Sequence, residues 1–409
     1  MFRQTSRLLD RWAGKPADGG SGFLARVESL RGLAALMVAL CHSQLVLMVN
    51  GHEDLWCLNV GQTKGFQAIV TKFLLMVFNG SAAVSLFFVI SGLVLGLSLD
   101  KHRHEFFRNG ASFILRRAFR IYPALILSLL FVGMWLPLIY PAPDYVGASR
   151  MFQPLYRVPQ AADFFANLLF MSNQMNPVIW TLKVEMEVAL LLPVMHLINR
   201  NSGPLVNLAL LLLLMWMSIT QEETGTGIWI FAFYLGLMLP TWGPWLVSVA
   251  RTSPIGEIPS LALTVAVLGS ARHVLYGTGY AMLTSVTEGL CAMMILACIV
   301  YHRELKLWKV LDLKILRVLG RISYSFYLLH FPIHYLVGVA VFHVVSSGAL
   351  MSSPVVWHGL VAIVSVIVTF PLALASYHWV ERTFIAAGRA LTKRLQPSPS
   401  RPLSACAEV

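Results

Sequence analysis

Long apolar runs alternate with short polar segments along most of the chain. An uncharged run of roughly 20 residues is long enough, as a helix, to cross a hydrocarbon core of about 30 Å. The pattern therefore predicts an all-α fold, a polytopic integral membrane bundle of about 10 transmembrane helices. The predicted spans lie near residues 31–49, 76–99, 121–140, 180–199, 204–220, 228–246, 259–271, 283–301, 322–345 and 355–380.

One further apolar run, residues 161–172, is too short to cross, so a re-entrant or interfacial segment is predicted there. The surrounding segment 141–179 is rich in proline and aromatic residues. This composition is typical of an ordered surface loop, and such a loop can cover an outward-facing site.

The composition agrees with a membrane protein and argues against a water-soluble domain and against a nucleic-acid-binding protein. Hydrophobic residues make up 57% and charged residues 12% of the 409, which lies outside the usual range of water-soluble domains. The net charge of +12 comes from basic residues in short segments between apolar runs, so no nucleic-acid partner is expected. The five cysteines form no disulfide framework and no CxxC metal motif.

The basic residues indicate the orientation of the bundle. With the amino terminus inside, 25 of the 31 Lys and Arg fall in cytoplasmic segments and only five in external ones, as the positive-inside rule requires. Both termini are therefore predicted to be cytoplasmic, and the first apolar run to remain as a signal anchor. The predicted organisation is a cytoplasmic segment 1–25, a transmembrane domain 26–385 and a cytoplasmic tail 386–409.

Two ionisable residues of the first span share one helix face. Arg31 and His42 are eleven residues apart, which is about 1100° of rotation, within about 20° of whole turns, and a rise of about 16 Å. A histidine near mid-membrane usually faces a cavity or a partner, and its ordinary pKa of about 6.5 suits a general base. The alternative is that His42 is a hydrogen-bonded packing residue and Arg31 a topogenic charge.

The fourth span begins with Trp180 and carries three charges within its first eight residues, Lys183, Glu185 and Glu187. Lys183 and Glu187 are four apart and can pair, whereas Glu185 lies about 200° away from both. Glu185 either pairs with a basic residue of another helix or has a functional role, and we favour the functional role.

At the cytoplasmic mouth of the third span, Arg117 and Arg120 are three residues apart and can present two guanidinium groups to one anion, for which phosphate is the natural candidate. The alternative is an ordinary positive-inside cluster.

The ninth span carries a polar strip of Ser323, Tyr324, Tyr327 and His330, which either lines a cavity or is satisfied within the core. The pair formed by His330 and His334 has the spacing of two metal ligands, but no HExxH motif accompanies it, so no metal is predicted.

In this order, these segments resemble acyltransferase family 3, the membrane O-acyltransferases that modify bacterial surface glycans and related molecules. The resemblance covers roughly residues 26 to 385. The matching elements are Arg31 with His42, the FFxxSG stretch Phe87 to Gly92, Arg117 with Arg120, the WSLxxE-like Trp180 to Glu185, the run Ser323 to His330, and Glu381.

The resemblance implies an enzyme, an acyl-CoA-dependent O-acetyltransferase in the bacterial inner membrane without a permanently bound cofactor. Its donor would be acyl-CoA, usually acetyl-CoA, entering from the cytoplasm, and its acceptor a saccharide or lipid-linked saccharide. Arg31, Arg117 and Arg120 would hold the donor, and His42 with Glu185 would be catalytic. The expected substrate-binding residues are Trp180, Ser323, Tyr324, Tyr327 and His330.

Two other functions remain open at this point. Ionisable groups in mid-span also suit a proton-coupled transporter or flippase of a glycan. A noncatalytic subunit of a polysaccharide-export assembly would keep the fold without the activity.

Overall fold

The computed structural model describes residues 22–100, 106–139, 142–221 and 225–394, and in these ranges the chain is helical, with two isolated β-bridges and no strand. The α-helices are α1 Gly22–Ser43, α2 Phe66–Val77, α3 Gly80–Asp100, α4 Phe106–Ile139, α5 Ala161–Leu168, α6 Trp180–Asn201, α7 Pro204–Thr220, α8 Gly227–Arg251, α9 Glu257–Leu275, α10 Thr284–Tyr301, α11 Lys314–Arg321, α12 Ser323–Val344, α13 Ser347–Ser352, α14 Pro354–Ser376 and α15 Arg382–Arg394. A five-residue π-helix, Tyr377–Glu381, joins α14 to α15.

A long helix lies at each of the ten predicted spans. In the described ranges, seven helical segments are long and apolar enough to cross a membrane, which makes the protein a multi-pass membrane protein. They are Phe66–Asp100, Ser112–Ile139, Gly227–Arg251, Glu257–Leu275, Ala281–Tyr301, Ser323–Val344 and Pro354–Lys393. The exact count of ten and the cytoplasmic position of both termini stay predictions, and residues 1–21 and 395–409 of the predicted terminal segments lie outside the described ranges.

Several boundaries differ from the pattern-based prediction. The span expected at 76–99 is preceded by a separate helix, α2. Lys72 of α2, one of the five basic residues assigned to external segments, is buried and donates to the carbonyl oxygen of Leu55. The short run at 161–172 forms only the eight-residue α5. The span at 259–271 extends to 19 residues in α9.

Two glycines bring α3 and α8 into close contact. A Cβ on Gly92 would lie 2.0 Å from the carbonyl oxygen of Phe233, and one on Gly236 would lie 2.1 Å from that of Val89. No larger residue fits at either position without moving the helices apart. Gly92 and Gly236 therefore serve close helix packing.

The amino-terminal helix α1 runs parallel to α11 and α12. Gly32 meets the backbone of Gly320, where an added Cβ would lie 2.4 Å from the Gly320 nitrogen. Ten residues further along both segments, His42 contacts His330. The bundle has two distinct ends. The basic end carries the connections 252–256 and 302–322. The cavity end carries the connections 44–65, 142–179 and 276–283.

Candidate functional site

A cavity of about 660 Å³ opens at the cavity end of the bundle. His42, at the end of α1, lines it together with Trp180 and Tyr327. The loop residues Phe170 to Asn173, within the segment expected to cover a site, also form part of its wall. Its size is that of a pocket for a small organic ligand or a sugar unit.

The wall combines aromatic rings with hydroxyl and amide groups. The rings of Trp180 and Trp229 lie 5.7 Å apart, with Phe88 packed behind them. Besides His42, Tyr327 and the two cations Lys183 and Arg272, the polar side chains of the lining are Ser81, Ser172, Asn173, Ser218, Gln221, Thr226, Thr284 and Ser285. Flat apolar faces with hydroxyl and amide partners suit a sugar ring, which has both apolar faces and hydroxyl edges.

His42 forms a direct hydrogen bond to another histidine. Its Nδ1 lies 2.9 Å from Nε2 of His330, and the two rings are almost coplanar, at 9°. His330 is fully buried, and its Nδ1 lies 2.6 Å from the carbonyl oxygen of Tyr327. Within the described ranges, no group of three or more His, Cys, Asp or Glu has the geometry of a metal site.

Arg117 and Glu185 form an ion pair inside the bundle. The guanidinium lies 2.8 Å from Oε2 of the carboxylate, and Ser91 donates to Oε1 at 3.4 Å. Arg117 is buried and Glu185 is half-buried. The sequence predicted the two on opposite sides of the membrane, but the 34-residue α4 carries Arg117 far enough inward to reach α6.

Arg31 and Arg120 lie in the same charged region, towards the basic end. Arg31 interacts electrostatically with Arg120, Glu185, Glu28 and Glu381. Both arginines are half-buried, and in the described part of the chain neither forms a direct ion pair. Two neighbouring guanidinium groups without a bound carboxylate are suited to hold an anion.

The polar strip of α12 divides between these two regions. Tyr327 lines the cavity and bonds the hydroxyl of Thr181 at 3.1 Å. Ser323 and Tyr324 are buried below it, and the Tyr324 hydroxyl donates to the carbonyl oxygen of Ile121. The structure therefore brings Trp180 and Tyr327, but not Ser323, Tyr324 or His330, to the cavity surface.

Glu381, near the carboxyl-terminal end of the helical domain, also belongs to the charged region, where it interacts with Arg31. Its carboxylate accepts from the backbone nitrogen of Ser325 at 2.9 Å and from the Ser325 hydroxyl. It lies at the end of the π-helix, a local widening that is common at functional sites.

A buried carboxylate next to the cavity was not predicted from the sequence. Glu288 of α10 accepts hydrogen bonds from Ser81 at 2.6 Å, Asn79 at 3.1 Å and Ser85 at 3.3 Å. Ser81 itself lines the cavity. A single Glu within an apolar span was a signal that could have identified this position, because such a charge needs partners.

Arg272 was also not predicted as a site residue, because a positive charge near the end of a span usually only sets the orientation of that span in the membrane. Its guanidinium lies 4.8 Å from the ring centroid of Trp56 and 5.0 Å from that of Tyr276, at the cavity wall. It interacts with Glu288, so the two compensate one another in charge.

Comparison with known families decides how these two regions are interpreted. Residues 24–374 match the family model described as an acyltransferase domain, which covers most of the chain. The chain belongs to acyltransferase family 3. The charged region around Arg31 and the cavity around His42 both fall inside the matched range.

A protein of Bacillus subtilis (strain 168), named "Putative peptidoglycan O-acetyltransferase YrhL", is 24% identical over 356 residues. The match covers 78% of this chain and 52% of that protein, so the chain spans about half the length of this relative. No solved structure matches the chain significantly.

Proposed function

We propose that the protein is a membrane O-acyltransferase that transfers an acyl group, most simply acetyl, from acyl-CoA to a hydroxyl group of a cell-surface or exported saccharide. The observation that carries the proposal is the position of two groups on α1. His42 lines a cavity at one end of the bundle, and Arg31, about 16 Å away along the same helix, lies beside Arg120 in the charged region towards the other.

The donor would bind from the basic end. Arg31 and Arg120, which form no direct ion pair in the described ranges, would hold the phosphates of CoA, with Arg117 as a further cation once its bond to Glu185 opens. The thioester would then extend between the helices towards His42. The many basic residues of this end would face the cytoplasm of a bacterial inner membrane.

The acceptor would occupy the cavity. Its aromatic and hydroxyl lining supports a saccharide or lipid-linked saccharide as the ligand, and the name of the Bacillus relative supports a cell-wall glycan. Trp180 and Tyr327 are the side chains we assign to acceptor contact.

His42 would act as the general base. It would take the proton of the acceptor hydroxyl while the oxygen attacks the thioester carbonyl, and the C–S bond then breaks. The CoA thiolate leaves and receives a proton, and the acyl group stays on the saccharide as an ester. General-base catalysis of this kind accelerates a reaction about 10² to 10⁴-fold.

The experiment is a measurement of free CoA released from acetyl-CoA by the purified protein in detergent, with a panel of glycan acceptors. We expect acceptor-stimulated release that falls about a hundredfold or more in His42→Ala. Arg120→Gln should raise the KM for acetyl-CoA, whereas Arg116→Gln, four residues earlier on α4, is the matched control and should leave it unchanged.

A folded protein that releases no CoA with any acyl donor or acceptor would contradict the proposal. So would movement of a glycan across liposomes without any acyl donor, which would identify a transporter or flippase instead.

A further inference from the structure

The hydrogen bonds around His42 determine which of its ring nitrogens carries the proton. Nδ1 of His330 lies 2.6 Å from the carbonyl oxygen of Tyr327. A carbonyl oxygen only accepts, so this nitrogen must be the N–H donor. In a neutral imidazole the other nitrogen is then an acceptor, and Nε2 of His330 therefore has a free lone pair.

That lone pair faces Nδ1 of His42 at 2.9 Å, and the ring planes differ by only 9°. A nearly coplanar arrangement directs the N–H of one ring along the lone pair of the other. Nδ1 of His42 must therefore carry the hydrogen. The Nε2 atom of His42 is left unprotonated, on a residue that lines the cavity.

We infer that His330 is a positioning residue, which holds His42 as the Nδ1–H tautomer so that its Nε2 lone pair can accept the proton of an acyl acceptor. The catalytic consequence rests on the proposed function, whereas the tautomer itself does not. This role differs from the substrate contact expected from the sequence, because His330 is fully buried and does not reach the cavity.

The same hydrogen bond would assist the reaction as charge develops. When His42 takes a proton at Nε2, its Nδ1–H bond to neutral His330 becomes charge-assisted and therefore stronger. The Tyr327 carbonyl oxygen keeps His330 in the accepting orientation throughout. Without His330, neither the tautomer nor the ring orientation of His42 is fixed by this contact.

Two variants separate positioning from packing. His330→Gln retains an oxygen that can accept from His42, whereas His330→Leu removes the acceptor but still fills the space. His334→Leu is the matched control. His334 is also buried on α12 and also bonds a backbone carbonyl oxygen, that of His330, but it forms no hydrogen bond to His42 in the described ranges.

We expect His330→Leu to lower kcat for acceptor-dependent CoA release about a hundredfold with little change in KM, His330→Gln to recover much of it, and His334→Leu to remain near wild type. Equal losses in the Gln and Leu variants, or a loss confined to KM, would overturn the inference.

The tautomer can be measured without turnover. ¹⁵N NMR of the full-length protein labelled at histidine, with the His42 signals assigned by their absence in His42→Ala, should show the Nδ1–H form in wild type and its loss in His330→Leu. An Nε2–H form in wild type would overturn the inference even if the variants fail to fold. Absence of acyl transfer by wild type would instead count against the proposed function and leave the tautomer result standing.

Discussion

The ion pair of Arg117 and Glu185 is the clearest case of one residue depending on another in the charged region. Arg117 is buried, and its only ion-pair partner among the described residues is the Glu185 carboxylate. A buried cation without its partner costs several kcal/mol, because the charge keeps its desolvation penalty and loses the attraction that offsets it. Glu185 is therefore expected to stabilise the fold, whatever its part in catalysis.

Glu185→Gln is expected to destabilise the protein by about 3 kcal/mol and to reduce CoA release. Glu187→Gln, two residues on, is the control, because the Glu187 side chain is 46% exposed and lies 4.0 Å from Lys183. Thermal unfolding in detergent measures both. An unchanged melting temperature in Glu185→Gln would show that the pair does not stabilise the fold.

At this scale the sequence predicts contacts within one helix much better than contacts between helices. The pairing of Lys183 with Glu187 is confirmed, since both lie on one helix four residues apart. The partner of Glu185 lies on α4 and that of His42 on α12, and helical periodicity contains no information about which helices become neighbours. The roles of these residues stay predictions.

At the scale of the helices, the close contact of α3 with α8 is possible because Gly92 has no side chain. We expect Gly92→Ala to lower the stability by about 1 to 3 kcal/mol, because a Cβ there would overlap the backbone of Phe233. Gly359→Ala in α14 is the matched control: nothing lies within 4 Å of its added Cβ, so the higher helix propensity of Ala should leave stability unchanged or raised. Equal effects of the two substitutions would contradict the packing argument.

A charge cluster ties the start of α1 to the segment that precedes α11. Asp312 accepts from Arg26 at 2.8 Å and from Arg317 at 3.2 Å, and the hydrogen bond from Arg26 lowers the pKa of the Asp312 carboxyl below its usual 3.8. A lowered folded-state pKa adds stability above the unfolded pKa and loses it as pH falls through the folded pKa.

Asp312→Asn should therefore lower the melting temperature slightly near pH 7, by the equivalent of about 1 kcal/mol or less, since the group is half exposed. The difference from wild type should shrink as pH falls below about 4. A difference that stays constant between pH 7 and pH 3 would exclude the ionised carboxylate as its cause.

The pattern of apolar runs predicted the positions of the long helices well, because the length of a span is set by the membrane. It did not predict the separate α2, the short α11 or the π-helix Tyr377–Glu381. These elements are shorter than a span or are interrupted by charge, and tertiary contacts fix them. Gly320 at the end of α11, for example, allows close approach to Glu28 on α1.

For the whole molecule, the main feature is that one end of the bundle is basic and the other carries the cavity. In a variant without native cysteines, Ser346→Cys near the cavity end and Lys306→Cys at the basic end, both at exposed positions, report the orientation. A membrane-impermeant maleimide should label Ser346→Cys in intact cells and Lys306→Cys only after permeabilisation. The reverse pattern would invert the predicted topology and the side from which the donor enters.

The parallel course of α1 and α12 has a further consequence for the cell. Because Gly32 meets Gly320 and His42 meets His330 at the same spacing, the two helices hold the two ends of the bundle at a fixed separation. An enzyme built around such a pair of helices does not need to carry either large substrate through the bilayer. If the proposed function holds, acyl-CoA stays in the cytoplasm, where it is made, and the glycan stays outside. The cell surface can then be acylated without the export of any activated donor.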